Sequence, residues 1–375
     1  MRSRASPCCG AVGRSAEGSC SGESPVNLTL AAGGFTTFLV CWGLVATLPW
    51  HGRFSLDAEK GIQRAHRTPT ARIGGLGIAA GLLTVWSIAP PAWQPILGPV
   101  LLASVPALVF GLAEDVSKSV PAWVRLAATV GSGAIACMIS GIALAHTSVP
   151  LLDSLLQGSW PLAVTLTAVA LGGVANAVNI MDGFNGLASG LVVLCACALG
   201  AIALQASDTP LAGVLFALAT VAFGFMLINF PLGKIFLGDG GAYLLGLMLA
   251  WLAVLLVERN PSVAPAAVLL VCAYPVIEVL FSVARRLRRS RSPMAPDQLH
   301  LHSLVHHRMA RKRLAHWPLV MQNASVSPLL WLFALTAATP GVLFWDHAPA
   351  AWLGLGAFSL VYWLVYRRLA LFGWR

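Results

Sequence analysis

The amino-acid sequence predicts an all-α integral membrane protein, a polytopic bundle of about eleven transmembrane helices. Of the 375 residues, 57% are hydrophobic and only 10% are charged, and the mean hydropathy is +0.77. Soluble domains carry about 25% charged residues, so this composition excludes an ordinary soluble domain. The apolar stretches run to roughly 20 residues, the length that a helix needs to cross a bilayer.

Eleven apolar segments are candidates for these helices. Their boundaries are predicted to within a few residues. Two are less typical, because one opens with Gly74 and Gly75 and another is flanked by prolines. The segments are 28–50, 73–89, 95–112, 121–144, 160–178, 187–205, 210–230, 241–257, 262–284, 320–342 and 350–366.

The distribution of basic residues predicts which face of the membrane is cytoplasmic. If loop 51–72 is cytoplasmic, alternation places all but four of the 24 Lys and Arg on that side, as the positive-inside rule requires. With eleven spans, the N-terminus is then periplasmic and the C-terminus is cytoplasmic. The net charge of +10 therefore follows from topology and requires no nucleic-acid partner.

The chain is predicted to contain one membrane domain. Residues 1–26 are rich in Ser, Gly and Arg and are expected to form a disordered polar leader, and 27–375 form the membrane domain. Nearly all acidic, basic and histidine side chains of the loops fall on the predicted cytoplasmic face, within 51–310. Five of the eight cysteines lie within spans and are expected to serve as small hydrophobes.

Two segments in the first third of the chain have a composition that suits the binding of phosphate groups. Loop 51–72 is basic, which is consistent either with topology alone or with phosphate binding. The span 95–112 is followed by adjacent carboxylates, Glu114 and Asp115, and by Lys118. Paired carboxylates at a membrane surface suit a hydrated Mg²⁺ ion that bridges the protein to phosphate oxygens. Ordinary interfacial charges are the alternative.

The most informative stretch is Asn176–Leu187, with the sequence NAVNIMDGFNGL, between two uninterrupted apolar runs. Asn176 and Asn179 are three residues apart and can share a helix face. Asp182 is expected where that helix ends. Polar side chains at the end of a membrane helix are costly without a partner. A plain Asn/Asp/Gly turn between two helices is the alternative reading.

Asp239 and Glu278 are two further acidic residues of interest. Asp239 lies among glycines at the start of a predicted helix, where the backbone can approach a ligand closely and the helix N-terminus favours anions. An N-capping Asp in a flexible turn is the alternative. Glu278 lies inside an apolar helix, which is a functional-site hypothesis by default. Pairing with Arg285 would be its structural explanation.

The predicted cytoplasmic loop 285–317 holds nine Lys and Arg and five of the nine histidines. Its core, Pro296–Ser303, contains His300 and His302. The spacing does not match a zinc finger. Clustered His and Arg beside a carboxylate suit a phosphate or diphosphate site, although the basic residues at 285–291 could instead anchor the helix to anionic lipid.

In combination, five of these segments resemble the polyprenyl-phosphate N-acetylhexosamine-1-phosphate transferase family, which includes the phospho-MurNAc-pentapeptide translocase. The resemblance covers about residues 55–310 and keeps the order of the family motifs. Those motifs are a His…Pro-Thr-Pro-Arg-x-Gly-Gly loop, an Asp-Asp pair, Asn-x-x-Asn-x-x-Asp-Gly-x-Asp-Gly-Leu, Phe-x-Gly-Asp-x-Gly and a His-rich segment. In this chain they stand at His66–Gly75, Glu114–Lys118, Asn176–Leu187, Phe236–Gly241 and Pro296–Ser303.

The resemblance implies a reaction and its partners. A UDP-linked N-acetylhexosamine, with UDP-GlcNAc favoured, would give its sugar 1-phosphate to undecaprenyl phosphate and release UMP. This would be the first step of a cell-envelope glycan such as O-antigen. Mg²⁺, or Mn²⁺ in its place, would screen the two phosphates as they meet. The implied location is the bacterial inner membrane, with the site on the cytoplasmic face, and a homodimer is left open.

The resemblance also implies roles for individual residues. Asp182 and Asp239 would ligate the metal ion. Asp115 would orient or deprotonate the lipid phosphate, or join the metal ligands. His300 and His302 would hold the diphosphate or stabilise the leaving group.

Further residues are implied as substrate contacts. Lys60 and Lys118 would contact phosphates, Phe236 would stack on the uracil, and Asn185 lies where the family contacts that base. The full set of implied substrate contacts is Lys60, His66, Glu114, Lys118, Asn176, Asn179, Asn185 and Phe236.

The chain departs from the family pattern at three positions. Glu114 replaces the first Asp of the acidic pair, and Asn185 replaces an Asp, which keeps hydrogen-bonding capacity and loses a charge. Ser303 replaces the last His of the His-rich segment. These departures leave a non-catalytic homologue open, although the three central aspartates are retained.

Two other functions compete with this one. The muropeptide substrate is the runner-up within the family, but that branch carries three consecutive histidines, whereas this chain has a single His-x-His and two extra C-terminal spans. A secondary transporter would show an internal repeat and charges near the midplane, and the sequence has no such repeat.

Overall fold

The computed structural model describes residues 23–56, 70–288 and 299–371. In these residues all regular structure is helical apart from two isolated β-bridges, which confirms the predicted all-α class. The helices are α1 (Glu23–Ala46), α2 (Leu48–Ser55), α3 (Gly75–Ile88), α4 (Gln94–Ala103), α5 (Val105–Ser117), α6 (Ala122–Ser140), α7 (Pro150–Gly158), α8 (Trp160–Met181), α9 (Leu187–Gln205), α10 (Thr209–Asn229), α11 (Gly238–Arg259), α12 (Pro265–Val271), α13 (Ala273–Arg288), α14 (Leu301–Val305), α15 (Arg311–Arg313), α16 (Leu319–Ala324), α17 (Val326–Leu343) and α18 (Ala348–Leu371).

Each of the eleven predicted segments coincides with a helix or with a bent pair of helices. Over the three described ranges, eight helices are long and apolar enough to cross a membrane, with α16 and α17 taken as one. The pairs α4–α5 and α12–α13 are bent by 46° and 82°. If each pair is counted as one span, the number of helices that could cross a membrane rises to ten. The eleventh segment forms α3, whose 14 residues are shorter than a full span. Helix α1 begins at Glu23, so the end of the predicted leader is helical, while residues 1–22 lie outside the described residues.

Helix α11 lies at the centre of the bundle, and 94% of the residues in its apolar stretch are buried. A helix that is apolar on all sides is expected to be buried on all sides. Helices α3, α5, α8 and α9 pack around it. A Cβ added at Gly246 would lie 2.7 Å from the Cα of Ala175, so α8 and α11 cross closely through small residues. Four of the five motifs therefore lie on α11 or on helices that contact it, whereas the histidine segment lies on α14, which packs against α17 and α18.

The described parts of the motifs lie at one end of the bundle, here called the site end and defined by Asp115, Asp182 and Asp239. The start of α1 lies at the opposite end, where the Thr29 hydroxyl donates to the carbonyl oxygen of Ile88 at 3.3 Å. The last helix ends at the site end, where Arg285 donates to the hydroxyl of Tyr366 at 2.8 Å. The described termini thus lie at opposite ends of the bundle, as expected for an odd number of crossings. Which end faces the cytoplasm stays a prediction.

Candidate active site

Asp115 lies at the N-terminus of helix α11 and is fully buried. Its Oδ1 accepts from the backbone N–H of Asp239 at 2.8 Å, and its Oδ2 accepts from that of Gly240 at 3.0 Å. The first N–H groups of a helix have no acceptor within the helix, and the positive end of the dipole favours a carboxylate there. The geometry therefore gives Asp115 a positioning role. Its implied role as a base or metal ligand stays a prediction.

Gly238 provides the backbone shape that this contact requires. Its φ is +72°, in the left-handed region that favours glycine. A Cβ at this position would also collide with the carbonyl oxygen of Arg72 and lie 2.5 Å from Oδ2 of Asp115. The glycine before Asp239 is thus explained by close packing around the start of α11.

Asp239 is almost completely buried and is the centre of a polar cluster. Its Oδ1 accepts from Nδ2 of Asn179 at 2.9 Å and from Nη2 of Arg72 at 3.3 Å. Its Oδ2 forms an ion pair with Arg125 and lies 3.4 Å from the hydroxyl of Tyr243. Asp239 and Asn179 belong to two different motifs and are 60 positions apart in the chain, and the structure brings them into contact.

Asp182 follows the last residue of α8, as predicted. Its Oδ2 accepts from the backbone N–H of Gly238 at 3.2 Å. Three carboxylates, those of Asp115, Asp182 and Asp239, therefore meet at the first turn of α11.

Arg72 and Arg125 are the cationic members of this cluster. Arg72 is the last residue of the basic loop 51–72, whereas Arg125, near the start of span 121–144, was not among the predicted site residues. In the structure both contact Asp239, and Nη1 of Arg125 also lies 4.0 Å from Oε1 of Glu114. A charged residue inside an apolar helix is a functional hypothesis by default. That signal selected Glu278 and would have selected Arg125 as well.

The donor chemistry of the site suits a hard cation. In the described part of the chain, no three His, Cys, Asp or Glu side chains form a ready-made metal site. Mg²⁺ in proteins is ordinarily held by one or two carboxylates, with water and phosphate oxygens completing its shell. Asp182 and Asp239 fit that pattern, and the three carboxylates outnumber the two guanidinium groups beside them. The residues present are therefore compatible with a Mg²⁺ ion that is shared with a phosphate ligand.

A second cluster forms around Glu278, which is fully buried. Its Oε1 accepts from Nδ1 of His300 at 3.0 Å and from the backbone N–H of Leu301 at 3.1 Å. Its Oε2 accepts from the hydroxyl of Tyr362, in α18, at 2.9 Å. An ionised carboxylate only accepts hydrogen bonds, so it selects the tautomer of His300 that carries its proton on Nδ1. The explanation by pairing with Arg285 is not observed.

His302 stacks on His300, with ring centroids 5.2 Å apart and an interplanar angle of 10°. Its ring edge also contacts Phe184, in the turn that follows Asp182, at 5.4 Å between centroids. Burial lowers the pKa of His302 to about 3, although nearby Glu278 acts in the opposite direction. His302 is therefore a neutral imidazole at physiological pH, and it links the histidine segment to the aspartate motif.

Two residues implied as substrate contacts have structural roles. Asn185 is 1% exposed, and its Nδ2 donates to the carbonyl oxygen of Pro231 at 2.8 Å. Asn176 donates to Oγ1 of Thr129 at 3.1 Å and to the carbonyl oxygen of Gly172 at 2.8 Å. The implied contact of Asn185 with the uracil stays a prediction.

The other implied substrate contacts lie around the same end of the bundle. Glu114 accepts from the backbone N–H of Val120 at 2.8 Å, and Lys118 donates to the carbonyl oxygen of Leu56. Phe236 is half-buried, and its backbone N–H donates to the carbonyl oxygen of Ala71 at 2.8 Å. The implied contacts of these residues stay predictions. Lys60 and His66 lie outside the described residues.

The position of Asn185 makes a substitution testable. We expect Asn185→Asp, which restores the residue typical of the family, to destabilise this protein by about 1–3 kcal/mol, because a carboxylate cannot donate to the carbonyl of Pro231 and would be buried there. Thermal unfolding of the purified variant measures this. Asn27→Asp, the same change at an exposed position of α1, is the control. An unchanged unfolding temperature for Asn185→Asp would contradict the buried contact.

Fold and site together define a class. This is a polytopic helical membrane protein in which buried carboxylates, arginines and histidines converge at one end of the bundle, and clustered groups of these kinds suit phosphate ligands.

Comparisons with known proteins agree with this class. Residues 97–257 match the family model described as Glycosyl transferase family 4. A probable undecaprenyl-phosphate N-acetylglucosaminyl 1-phosphate transferase of Bacillus subtilis (strain 168) is 26% identical over 68% of this chain and 69% of its own length. A decaprenyl-phosphate N-acetylglucosaminephosphotransferase of Mycolicibacterium smegmatis is 28% identical over 87% of this chain and 83% of its own length. The undecaprenyl-phosphate alpha-N-acetylglucosaminyl 1-phosphate transferase of Escherichia coli (strain K12) is 26% identical, with 83% of each chain covered.

These matches support the resemblance that the motifs indicated, to the polyprenyl-phosphate N-acetylhexosamine-1-phosphate transferases. The matched residues 97–257 include the three aspartates of the site. The segment of His300 and His302 lies beyond them.

Proposed function

We propose that this protein transfers N-acetylglucosamine 1-phosphate from UDP-GlcNAc to undecaprenyl phosphate and releases UMP, as the initiating step of a cell-envelope glycan such as O-antigen. The observation that carries the proposal is the convergence of Asp115, Asp182 and Asp239 with Arg72 and Arg125 at the N-terminus of α11. The names of the three relatives, all of which contain N-acetylglucosamine, support the sugar.

The reaction joins two phosphates. An oxygen of the lipid phosphate attacks the phosphorus that bears the sugar, a new P–O–P linkage forms, and the bond from that phosphorus to the oxygen of UMP breaks. Such transfers depend mainly on positioning and on stabilisation of negative charge. Guanidinium groups bind phosphate oxygens through paired donors, and Arg72 and Arg125 lie at the site as ion-pair partners of Asp239.

Mg²⁺ is the proposed cofactor, with Mn²⁺ as the alternative, and Asp182 and Asp239 are the residues that would hold it. When bound, the ion would screen the charge of the phosphates and polarise their oxygens. Asp115 would hold the first turn of α11, and with it Asp239, through its hydrogen bonds from the backbone N–H groups of Asp239 and Gly240. These assignments rest on the oxygen chemistry of the site and on its excess of carboxylates.

His300 is the proposed contact of the diphosphate or of the departing UMP. Glu278 and the neighbouring backbone hold its Nδ1 side, which leaves Nε2 for a substrate. His302 stacks against it as a neutral ring. Orientation of an imidazole by a buried carboxylate is a recurrent way to prepare it for contact with a reacting group.

The site end is proposed to face the cytoplasm of the bacterial inner membrane. Among the described residues, the basic side chains of α13, α15 and α18 lie at this end, and Arg259 lies at the other. That asymmetry follows the positive-inside rule, and it would let a soluble nucleotide sugar reach the site.

The test is release of UMP by the purified protein supplied with undecaprenyl phosphate, Mg²⁺ and a panel of UDP-sugars. We expect release with UDP-GlcNAc that is abolished by EDTA and restored by added Mg²⁺. Activity only with the muropeptide donor would favour the runner-up substrate. A folded preparation that releases no UMP from any donor would refute the proposed reaction.

A further inference from the structure

The helices α16 and α17 contact the turn that follows Asp182. Oδ1 of Asn323, in α16, accepts from the backbone N–H of Asn185 at 2.9 Å. The hydroxyl of Ser327, in α17, donates to the backbone carbonyl oxygen of the same residue at 2.6 Å. Both side chains are fully buried. The two backbone groups of Asn185 are thus satisfied by side chains from a different part of the chain.

The other side of the turn is held by α10. The backbone N–H of Gly186 donates to Oδ1 of Asn229, the last residue of α10. Nδ2 of Asn229 donates in turn to the carbonyl oxygen of Ile235 at 2.7 Å, three residues before Gly238. Asn229 therefore ties the turn to the segment that leads into α11, whereas α16 and α17 hold its opposite side.

A turn of this kind needs such partners. Gly186 has φ of +76°, so the chain leaves the helical conformation between α8 and α9 and its peptide groups lose their helical partners. Buried peptide groups without partners cost free energy comparable to a lost hydrogen bond. The bonds from Asn323 and Ser327 therefore favour one conformation of the turn.

We propose that Asn323 and Ser327 are positioning residues of the transferase, which fix the backbone of the turn 182–186 and thereby hold Asp182 against the start of α11. The proposal rests on the proposed function. It concerns a region beyond the matched family residues 97–257 and beyond the motifs, which end at Ser303. Neither residue touches the acidic cluster itself, so both act through the turn.

The test uses Ser327→Ala in the full-length protein. We expect kcat for UMP release to fall by about 10- to 100-fold, because small displacements at a phosphoryl-transfer site have effects of this size. The KM for the lipid acceptor should stay unchanged. Hydrogen exchange at the amides of residues 183–187 should be faster than in the wild type. Ser327→Thr, which keeps the hydroxyl, should restore slow exchange and most of the rate.

Ser132→Ala is the matched control. Ser132 is equally buried, and its hydroxyl oxygen accepts a backbone N–H, that of Ala107, from a neighbouring helix at 3.1 Å. This variant should keep the wild-type exchange at residues 183–187. A similar loss of kcat in both variants, with exchange at the turn unaltered, would overturn the positioning role, as would a wild-type kcat per folded molecule in Ser327→Ala.

Exchange in the wild type gives a criterion that does not depend on activity or on the folding of a variant. The amides of Asn185 and Gly186 must be protected, and rapid exchange at both would overturn the proposal. If the wild type releases no UMP but these amides are protected and become exposed in Ser327→Ala, the proposed reaction fails and the fixing of the turn stands.

Discussion

Asp239→Asn is expected to abolish UMP release, with a loss of at least about 10³-fold in kcat, the upper range for removal of one preorganised electrostatic group. The carboxylate accepts from Asn179, Arg72 and Arg125. An amide loses the charge that pairs with the arginines and that would attract a divalent cation. The measurement is UMP release over a range of Mg²⁺ concentrations, with folded protein quantified in each sample.

Asp208→Asn provides a control of the same chemistry. Asp208 is also buried, caps α10 by accepting from the backbone N–H of Leu211, and pairs with Arg259 at 2.8 Å. It lies one helix length, about 30 Å, from the site end. We expect it to lower stability by at most about 1 kcal/mol, because an asparagine oxygen can still cap α10 while the partly exposed ion pair with Arg259 loses its charge, and to leave turnover per folded molecule unchanged. Wild-type activity in Asp239→Asn would remove that residue from the metal assignment.

Glu278→Gln has the second largest expected effect. A neutral amide can donate to Nδ1 of His300, which would stabilise the other tautomer and place a proton on Nε2, the nitrogen that is proposed to contact the substrate. We expect kcat to fall by about 10²-fold, the lower range for loss of a correctly protonated acid or base. The KM for the lipid acceptor should change little, because the proposed contact of His300 is with the diphosphate or the departing UMP and not with the lipid.

Tyr362→Phe separates packing from orientation in the same network. The substitution keeps the ring in the core and removes one donor to Glu278, while the bonds from His300 and the Leu301 N–H remain. We expect a stability loss of about 1–3 kcal/mol, typical of one buried acceptor that loses a partner, and a much smaller loss of kcat than in Glu278→Gln. Equal kinetic losses in the two variants would indicate that the network only supports folding.

Much of the fold follows from local sequence. Each apolar segment forms a helix or a bent pair, because in a bilayer the backbone must satisfy its own hydrogen bonds and a run of about 20 apolar residues does so only as a helix. The prediction was less successful at α3 and at the two bent pairs. Length and hydropathy do not reveal that a helix is short or that its axis turns by 82° at Cys272.

The candidate site was also partly readable from the sequence. Asp182 and Asn179 were selected because polar residues at the ends of membrane helices are costly without partners, and Asp239 because it lies among glycines at the start of a predicted helix. The structure brings the three together at the start of α11. That Asp115 caps α11 could not be predicted from the sequence, because the start of that helix lies 124 residues further along the chain.

The sequence by itself determined that this protein is an α-helical membrane protein and that its polar motifs occur in the order typical of one transferase family. Only the tertiary structure decided which polar side chains face one another. Asn185 has the residue type of a ligand contact, yet it is buried against Pro231, whereas Arg125, which was not among the predicted site residues, pairs with Asp239. Composition and periodicity report the cost of burying a group, but the partner that offsets this cost is set by long-range helix packing.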